Sequence, residues 1–579
     1  MSVIDTPLGA VTLPDRRRKP LLRTGFTHYV LWALAMIVIV GPLVPVVLAS
    51  LWTKPLYEGG GQLTVANYAR LFTDPQWWAA ARNSLLFAAM TTVGAIVFGT
   101  LVAVLVTRTD LPGKRFIAIL LMIPIALPGL VLILGWNTFW SPSGYGSSWL
   151  QIIFGVGVPF NLYSVPGMAL VCVSVTAPIV FFFVRGVLVN IDSALEDAAR
   201  SSGATPFRTL LSVTVPMLRP AILNSGLLVF ALALEVLGLA LILGSPSDID
   251  LIGSYLYAQW FKKMPADQGL VSAGAVCLLL VVSVLLLVRN RLAGDAQRFV
   301  TISGKPRSGV VVRLGPARWV IAVVLIGPLL LGVVGPLASV ILSAFTTVLT
   351  PFINPFTVLT TANFASVLDN PLAMQSIGNS LLIATVGGAV TTVLVALLSI
   401  VAHRSTFRLR GSLQQAMLWP RTVPGLVTGM AFFWAFAVLT PGGSLRDTLI
   451  PMAIAFAVRN LALAYSAFYP ALAAIGQDME RAARTSGATW WRAATTIVLR
   501  LVVPAMAASF VLLFVALLNE YDPAVFLVSP DTPVMGLTML QLSLTGVGGP
   551  VAAFGVIQMV LTLLVLGLGR LAFGVRARV

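Results

Sequence analysis

The chain has 579 residues, of which 58% are hydrophobic and only 10% are charged, whereas an ordinary soluble domain has roughly 25% charged residues. This composition excludes a soluble globular protein and indicates a polytopic membrane protein. The two cysteines and two histidines lie far apart, which excludes a Cys/His zinc site and a disulfide framework. We therefore expect no metal site and no cofactor in this chain.

Apolar runs long enough to cross a bilayer, which takes roughly 20 residues, predict twelve membrane-spanning helices. Uncharged runs give five of them, at 29–53, 83–107, 269–288, 375–402 and 551–569. The uncharged stretch 116–184 is too long for one helix and contains the turn-forming cluster 141–144, so it predicts two spans. The other five lie near 220–243, 319–345, 411–438, 448–471 and 503–528.

The basic residues predict the orientation of these spans. If both termini are cytoplasmic, most of the 37 Lys and Arg residues fall in cytoplasmic loops, as the positive-inside rule requires. The first apolar run lacks a small-residue cleavage site, so it is expected to stay as a helix. The net charge of +17 follows from this bias, and its scatter over loops argues against nucleic-acid binding. The expected location is the inner (plasma) membrane.

The chain contains an internal repeat. The segment 63–68 (LTVANY) returns at 359–364 (LTTANF), and the segments NSLL and PGLV each occur at equivalent places in both halves. Two six-helix halves in the same orientation predict parallel repeats around a translocation path. The predicted divisions are a cytoplasmic N-terminal tail, a first repeat, a basic cytoplasmic linker and a second repeat, at 1–27, 28–290, 291–318 and 319–579.

Two nearly identical segments lie in cytoplasmic loops near 193–210 and 477–494. They read EDAARSSGAT at 196–205 and ERAARTSGAT at 480–489. A short helix of strong helix formers with small side chains can lie against a partner, and the glycine after it allows the chain to reverse. Each segment therefore predicts a docking element.

These segments resemble the EAA loop of permease subunits of binding-protein-dependent ABC importers, which inserts a coupling helix into a groove on the ATPase. The resemblance implies an external solute-binding protein and two copies of a cytoplasmic ATPase as partners. It also implies the coupling positions Glu196, Ala198, Ala199, Gly203, Glu480, Ala482, Ala483 and Gly487. The family has a proline after the glycine that matches Pro216 in the first repeat, whereas the second repeat has Arg500 there.

The chain has no phosphate-binding loop of its own. Its only Gly-Lys pairs, at 113–114 and 304–305, are not followed by Ser or Thr and lack the upstream glycine. We therefore expect no catalytic residues and no ATP hydrolysis by this chain. ATP and Mg²⁺ are expected on the partner ATPase.

Over nearly its whole length the chain resembles the fused, two-half permeases of ferric-iron importers. The resemblance depends on the tandem arrangement, the NSLL and PGLV segments, the stretch AVRNL at 457–461 and a polar break late in the eleventh helix. It implies an all-α type I importer permease fold and ferric iron as cargo. Thiamine, polyamines, phosphonates or another small anion stay open as cargo. A twelve-helix ion-coupled secondary transporter is the other class, but it has no reason to carry the paired motif.

Ionisable side chains inside predicted spans are functional candidates because the membrane makes them costly. Arg185 lies near the cytoplasmic end of its span, where its side chain can reach water. The acids could pair with an arginine as a gate or as a structural ion pair, or could meet a cation or an amine. The candidates for the path or gate are Glu235, Arg421, Arg459, Asn519, Glu520 and Asp522. Pro124, Pro128, Pro420 and Pro424 predict broken helices along the same path.

Overall fold

The computed structural model describes residues 26–190, 193–296, 312–405, 407–440, 445–476, 478–488, 492, 494–546 and 548–573. The predicted N-terminal tail, most of the basic linker, and parts of the second docking segment lie outside the described residues. In the described ranges the chain is helical, and its few β-bridges are isolated ones that form no sheet.

The first repeat contributes six helical spans. They are α1 (Phe26–Ser50), α2 (Pro75–Arg108), α3 (Lys114–Ala126 with Gly129–Phe154), α4 (Val165–Asn190), α5 (Pro206–Met217 with Arg219–Leu234) and α6 (Gln268–Arg289).

The second repeat contributes six more. They are α7 (Ala317–Ala344), α8 (Pro371–Arg404), α9 (Arg410–Thr422 with Gly425–Leu439), α10 (Leu449–Ala474), α11 (Thr496–Asn519) and α12 (Gly548–Leu571). By length and composition, nine helices of the described chain can cross a membrane, and the number is the predicted twelve if each bent pair is one span.

The predicted broken helices are present in both repeats. α3 bends by 111° and α9 by 113°, at the residues before Pro128 and Pro424. Proline has no N–H to donate and disfavours a helical residue before it, which favours a helix end at both places. Pro124 and Pro420 each lie in a short 3₁₀ turn just before the break.

The two repeats differ where their sequences differ after the docking segment. α5 bends by 56° between Met217 and Arg219, with Pro216 and Pro220 on the two sides of the bend. α11 has Arg500 in place of the first of these prolines and runs from Thr496 to Asn519 as one continuous span.

The Asn that recurs in the LTVANY and LTTANF segments forms the same kind of hydrogen bonds in both halves. Asn67 Nδ2 donates to Ser50 O (3.0 Å) and Trp52 O (2.9 Å) at the end of α1. Asn363 Nδ2 donates in the same way to carbonyls at the end of α7. The last carbonyls of a helix have no partner within it, so these amides close the ends of the two helices.

The repeats are interleaved. The end of α1 packs against the second part of α9, and the end of α7 packs against the second part of α3. Gly135 on α3 makes this approach possible, because a Cβ there would lie 2.6 Å from Pro336 O on α7. Trp140 Nε1 also donates to Leu331 O (3.0 Å). Each repeat therefore completes the packing of the other.

The described end of the linker, from Val312 onward, docks on the loop after α2. Val312 N donates to Arg108 O (2.8 Å), and Leu314 N donates to Asp110 Oδ1 (2.8 Å). The hydrogen bond from the Leu314 N–H lowers the pKa of the Asp110 carboxyl. The linker thus holds the loop that follows α2 in place.

Candidate functional site

Both docking segments form short helices, here called the first loop helix (Ser193–Ser201) and the second loop helix (Asp478–Thr485). Each ends at a glycine with left-handed backbone, Gly203 at φ +84° and Gly487 at φ +87°. Ala204 N and Ala488 N each donate back into the last turn of their helix (3.1 Å). This is the glycine-ended C-cap in which a side chain would be strained.

The sequence-predicted positions divide into two groups by exposure. Ala198 and Ala482 are exposed, and the alanines that follow them are half-buried. The two glycines are exposed as well. The glutamates are instead buried, with Glu196 2% and Glu480 5% exposed. The alanines therefore lie toward the free face of each loop helix, beside exposed polar residues such as Asp197 and Asp478, and the two glutamates of the motif are buried.

Each buried glutamate pairs with an arginine that ends a membrane helix. Arg108 Nη2, at the end of α2, lies 3.1 Å from Glu196 Oε1. Arg404 Nη1, at the end of α8, lies 3.0 Å from Glu480 Oε1. Burial raises the pKa of Glu480, and the charge of Arg404 opposes that rise.

Sequence reasoning missed these arginines as site residues, because a basic residue at a helix end fits the positive-inside rule without any partner. The signal available was the repeat itself, since Arg108 and Arg404 occupy equivalent places in the two halves.

The second feature is an ion cluster formed by Arg459, Glu235, Glu520 and Asp522. Arg459 Nη2 lies 3.1 Å from Glu235 Oε2 and 3.7 Å from Asp522 Oδ2, and Nε lies 3.3 Å from Glu520 Oε2. Arg459 is about 15 Å from the nearer end of α10 at about 1.5 Å per residue. Four of the predicted path residues are therefore brought together deep within the helix bundle.

The cluster forms where helices stop. Glu235 follows the last residue of α5, and Glu520 follows the last residue of α11. Arg459 Nη1 also donates to Val423 O (3.2 Å), the carbonyl just before the break in α9. Asn460 Nδ2 donates to Glu520 Oε2 (3.2 Å). The guanidinium thus pairs with three carboxylates and donates to a backbone carbonyl that has no partner within the broken helix.

Two predicted path residues lie outside the cluster. Asn519 Oδ1 accepts from Gln558 Nε2 (3.1 Å) and Thr562 Oγ1 (3.4 Å), so it ties α11 to α12. Arg421 has an exposed side chain at the end of the first part of α9. In the described chain, no three His, Cys, Asp or Glu side chains are arranged to hold a metal ion.

The cluster joins the two repeats asymmetrically. Glu235 is its only member from the first repeat, whose residues equivalent to Arg459 and Glu520 are Val175 and Val236. Among the ion pairs of the described residues, Glu235 with Arg459 joins the two repeats in the middle of a span, whereas Asp110 with Arg318 joins them at the first turn of α7.

An aromatic contact between the repeats was also not predicted from the sequence. Trp260 of the first repeat lies edge-on to Phe433 and Phe526 of the second, with ring centroids 5.2 Å and 5.0 Å apart. Phe433 lies on the second part of α9, beyond the break that the cluster covers. The repeats therefore contact each other both at the ion cluster and at these aromatic rings.

Residues 95–296 and 395–572 match the family described as the binding-protein-dependent transport system inner membrane component. The two matched segments together make up more than half of the chain, with one in each repeat. The chain belongs to this family. Membership confirms the resemblance predicted from the EAA segments and the all-α permease fold with two repeats.

Individual proteins similar to this chain are also permeases of transport systems. The chain is 26% identical over 494 residues to the ferric transport system permease protein FbpB of Actinobacillus pleuropneumoniae, covering 84% of this chain and 69% of that protein. It is 31% identical over 177 residues to the sulfate transport system permease protein CysT of Escherichia coli, covering 31% of this chain and 62% of that protein.

Chains of solved structures also match this chain. A chain of the crystal structure of a bacterial alginate ABC transporter with its alginate-bound periplasmic protein matches with a TM-score of 0.40 and 19% identity. The match covers 48% of this chain and 97% of that one.

Proposed function

We propose that the chain is the membrane subunit of an ATP-driven importer and that a separate cytoplasmic ATPase docks on each loop helix. The observation that carries this proposal is the pair of loop helices, each with an exposed alanine and a left-handed terminal glycine. ATP and Mg²⁺ bind to the two ATPase copies, and an external binding protein delivers the cargo. The protein lies in the inner membrane with both termini in the cytoplasm.

The cargo we propose is ferric iron. The similarity to the ferric permease extends over both repeats, and the ion cluster has three carboxylates for one guanidinium, which suits a cation better than an anion. The similarity to a sulfate permease makes a small anion the second candidate. Thiamine, polyamine and phosphonate remain cargoes of the same class of importer.

We propose that the ion cluster is the gate of the path between the repeats. Arg459 closes it by binding Glu235 of the first repeat and the acids of the second repeat at once. When the repeats separate, the Glu235 pair must open while Arg459 keeps Glu520 and Asp522. The exposed Arg421 lines the path on one side of this gate.

We expect the double variant Gly203→Asp with Gly487→Asp to lose the ATPase on co-purification from detergent. An aspartate at these left-handed positions strains the helix end and adds a charge to the free face. Both loop helices therefore lose the end structure and the surface on which we propose that the ATPase docks. The measurement is the amount of the ATPase encoded beside this chain that comes down with it.

The matched control is Gly60→Asp, which makes the same substitution at φ +76° in an exposed loop on the opposite side of the membrane. It should keep the ATPase. The ligand held by the co-purified binding protein then identifies the cargo. An ATPase that stays with the double variant, or uptake driven by an ion gradient without any ATPase, would contradict the importer function.

A further inference from the structure

We infer that Arg108 and Arg404 are positioning residues that fasten the loop helices to α2 and α8, so that movement of a docked ATPase reaches the membrane helices through these two side chains. The inference rests on the proposed importer function and assigns a role to residues outside the EAA segments.

Each arginine joins three elements of its repeat. Arg108 ends α2, donates to Leu188 O (3.1 Å) near the end of α4, and pairs with Glu196 on the first loop helix. Arg404 ends α8, donates to Leu472 O (2.6 Å) at the equivalent place on α10, and pairs with Glu480. A loop helix cannot shift without pulling on the ends of two membrane helices.

Burial separates the glutamates from the exposed alanines. The side chains of the two pairs are 2% to 6% exposed, so in this structure both carboxylates are held within the chain. A buried ion pair also requires further hydrogen bonds to offset the loss of water. Thr214 Oγ1 supplies one to Glu196 Oε1 (3.0 Å), and Ile475 O accepts another from Arg404 Nη2 (2.7 Å). The two ion pairs connect parts of the same chain. The exposed alanines are the surface on which the ATPase docks.

The two Arg–Glu pairs differ in how many other hydrogen bonds support them. Glu196 keeps the hydroxyl of Thr214 on α5 if its arginine is removed, and the linker residue Val312 holds the backbone of Arg108 (2.8 Å). In the second repeat, Arg404 is the partner that the described structure gives to Glu480. Loss of Arg404 should therefore have a larger effect than loss of Arg108.

The test uses the complex of the full chain with its ATPase in liposomes, and the probe is the purified external binding protein with its natural ligand. The readout is the stimulation of ATP hydrolysis by that protein, because its signal must cross the membrane helices to reach the loop helices. We expect Arg404→Met to retain the ATPase but to lose about tenfold in stimulation, within the usual range of coupling between sites. Arg108→Met should lose less.

Exchange of the pair, Arg404→Glu with Glu480→Arg, should restore only part of the stimulation, because a glutamate at 404 cannot donate to Leu472 O and Ile475 O. Arg404→Lys should fall between wild type and Arg404→Met, because lysine keeps the charge but loses the planar set of donors. Arg446→Met is the control, since that arginine forms an exposed pair with Asp447.

Two results would overturn the inference: full stimulation in Arg404→Met, or loss of the ATPase from it. A wild-type chain that binds no ATPase contradicts the proposed function itself.

Discussion

Arg459→Met is expected to lower the free energy of unfolding by about 3–5 kcal/mol, the usual cost of removing one partner from a buried ion pair. The substitution leaves Glu235, Glu520 and Asp522 facing one another without the guanidinium that lies 3.1–3.7 Å from them. It also frees the carbonyl of Val423 at the break in α9. The measurement is equilibrium unfolding of the purified chain in detergent micelles.

The matched control for this prediction is Arg446→Met. Arg446 lies 3.2 Å from Asp447, both side chains are more than a third exposed, and the guanidinium lies 5.7 Å from the centre of the Phe433 ring. Its loss should cost about 1–2 kcal/mol, from an exposed ion pair and an exposed cation–π contact. Glu235→Gln removes only the charge pair between the two repeats, because Arg459 keeps Glu520 and Asp522 in the second repeat. Its stability therefore reports the contribution of that one pair. Equal stabilities of the Arg459 and Arg446 variants would show that the cluster does not hold the repeats together.

Gly429→Val should destabilise the chain by about 3 kcal/mol, the upper part of the usual range for overpacking. A Cβ at Gly429 on α9 would lie 2.3 Å from Pro523 O and 2.8 Å from Pro523 Cα. Both are backbone atoms of the segment that carries Glu520 and Asp522, so no side-chain rotation can relieve the contact. We expect a lower unfolding midpoint in detergent.

Gly378→Val is the control for this substitution. Gly378 also lies in a helix, and nothing lies within 4 Å of a Cβ built there. Both variants therefore carry the same change in helix propensity, and the difference between them reports the contact with Pro523. A Gly429 variant as stable as the Gly378 variant would mean that α9 and the polar break are not packed as described.

Local signals made much of the fold predictable from the sequence. Long apolar runs identify spans because a helix must bury its backbone polar groups within itself to cross a membrane. Pro128 and Pro424 identify the breaks in α3 and α9, because the residue before a proline disfavours the helical conformation. Proline alone does not decide a break, since Pro178 and Pro470 lie inside the continuous helices α4 and α10. The repeat predicted two equivalent halves. Asn67 and Asn363 recur because each side chain binds the free carbonyls at the end of a membrane helix.

The pairings inside the site were less accessible, because they depend on contacts between distant parts of the chain. Arg421 and Arg459 were equal candidates as partners for the acids. Only the break in α9 and the unbroken course of α10 bring Arg459 to the cluster. Glu235 comes from the other repeat, which no local pattern could indicate.

Arg108 and Arg404 illustrate the same limit at the cytoplasmic side. Their positions at helix ends are sufficiently explained by the positive-inside rule, so nothing in the local sequence requires a partner. The glutamates of the EAA segments likewise look like exposed charges on a short polar helix. Only the folded chain shows that each turns inward to meet its arginine.

We propose that one chain carries two ATPase docking elements, one in each repeat. Native mass spectrometry of the wild-type complex, purified in detergent with the neighbouring ATPase, measures this directly. We expect a particle with one copy of this chain and two copies of the ATPase. A particle with two copies of this chain, or with a single ATPase on one chain, would contradict it.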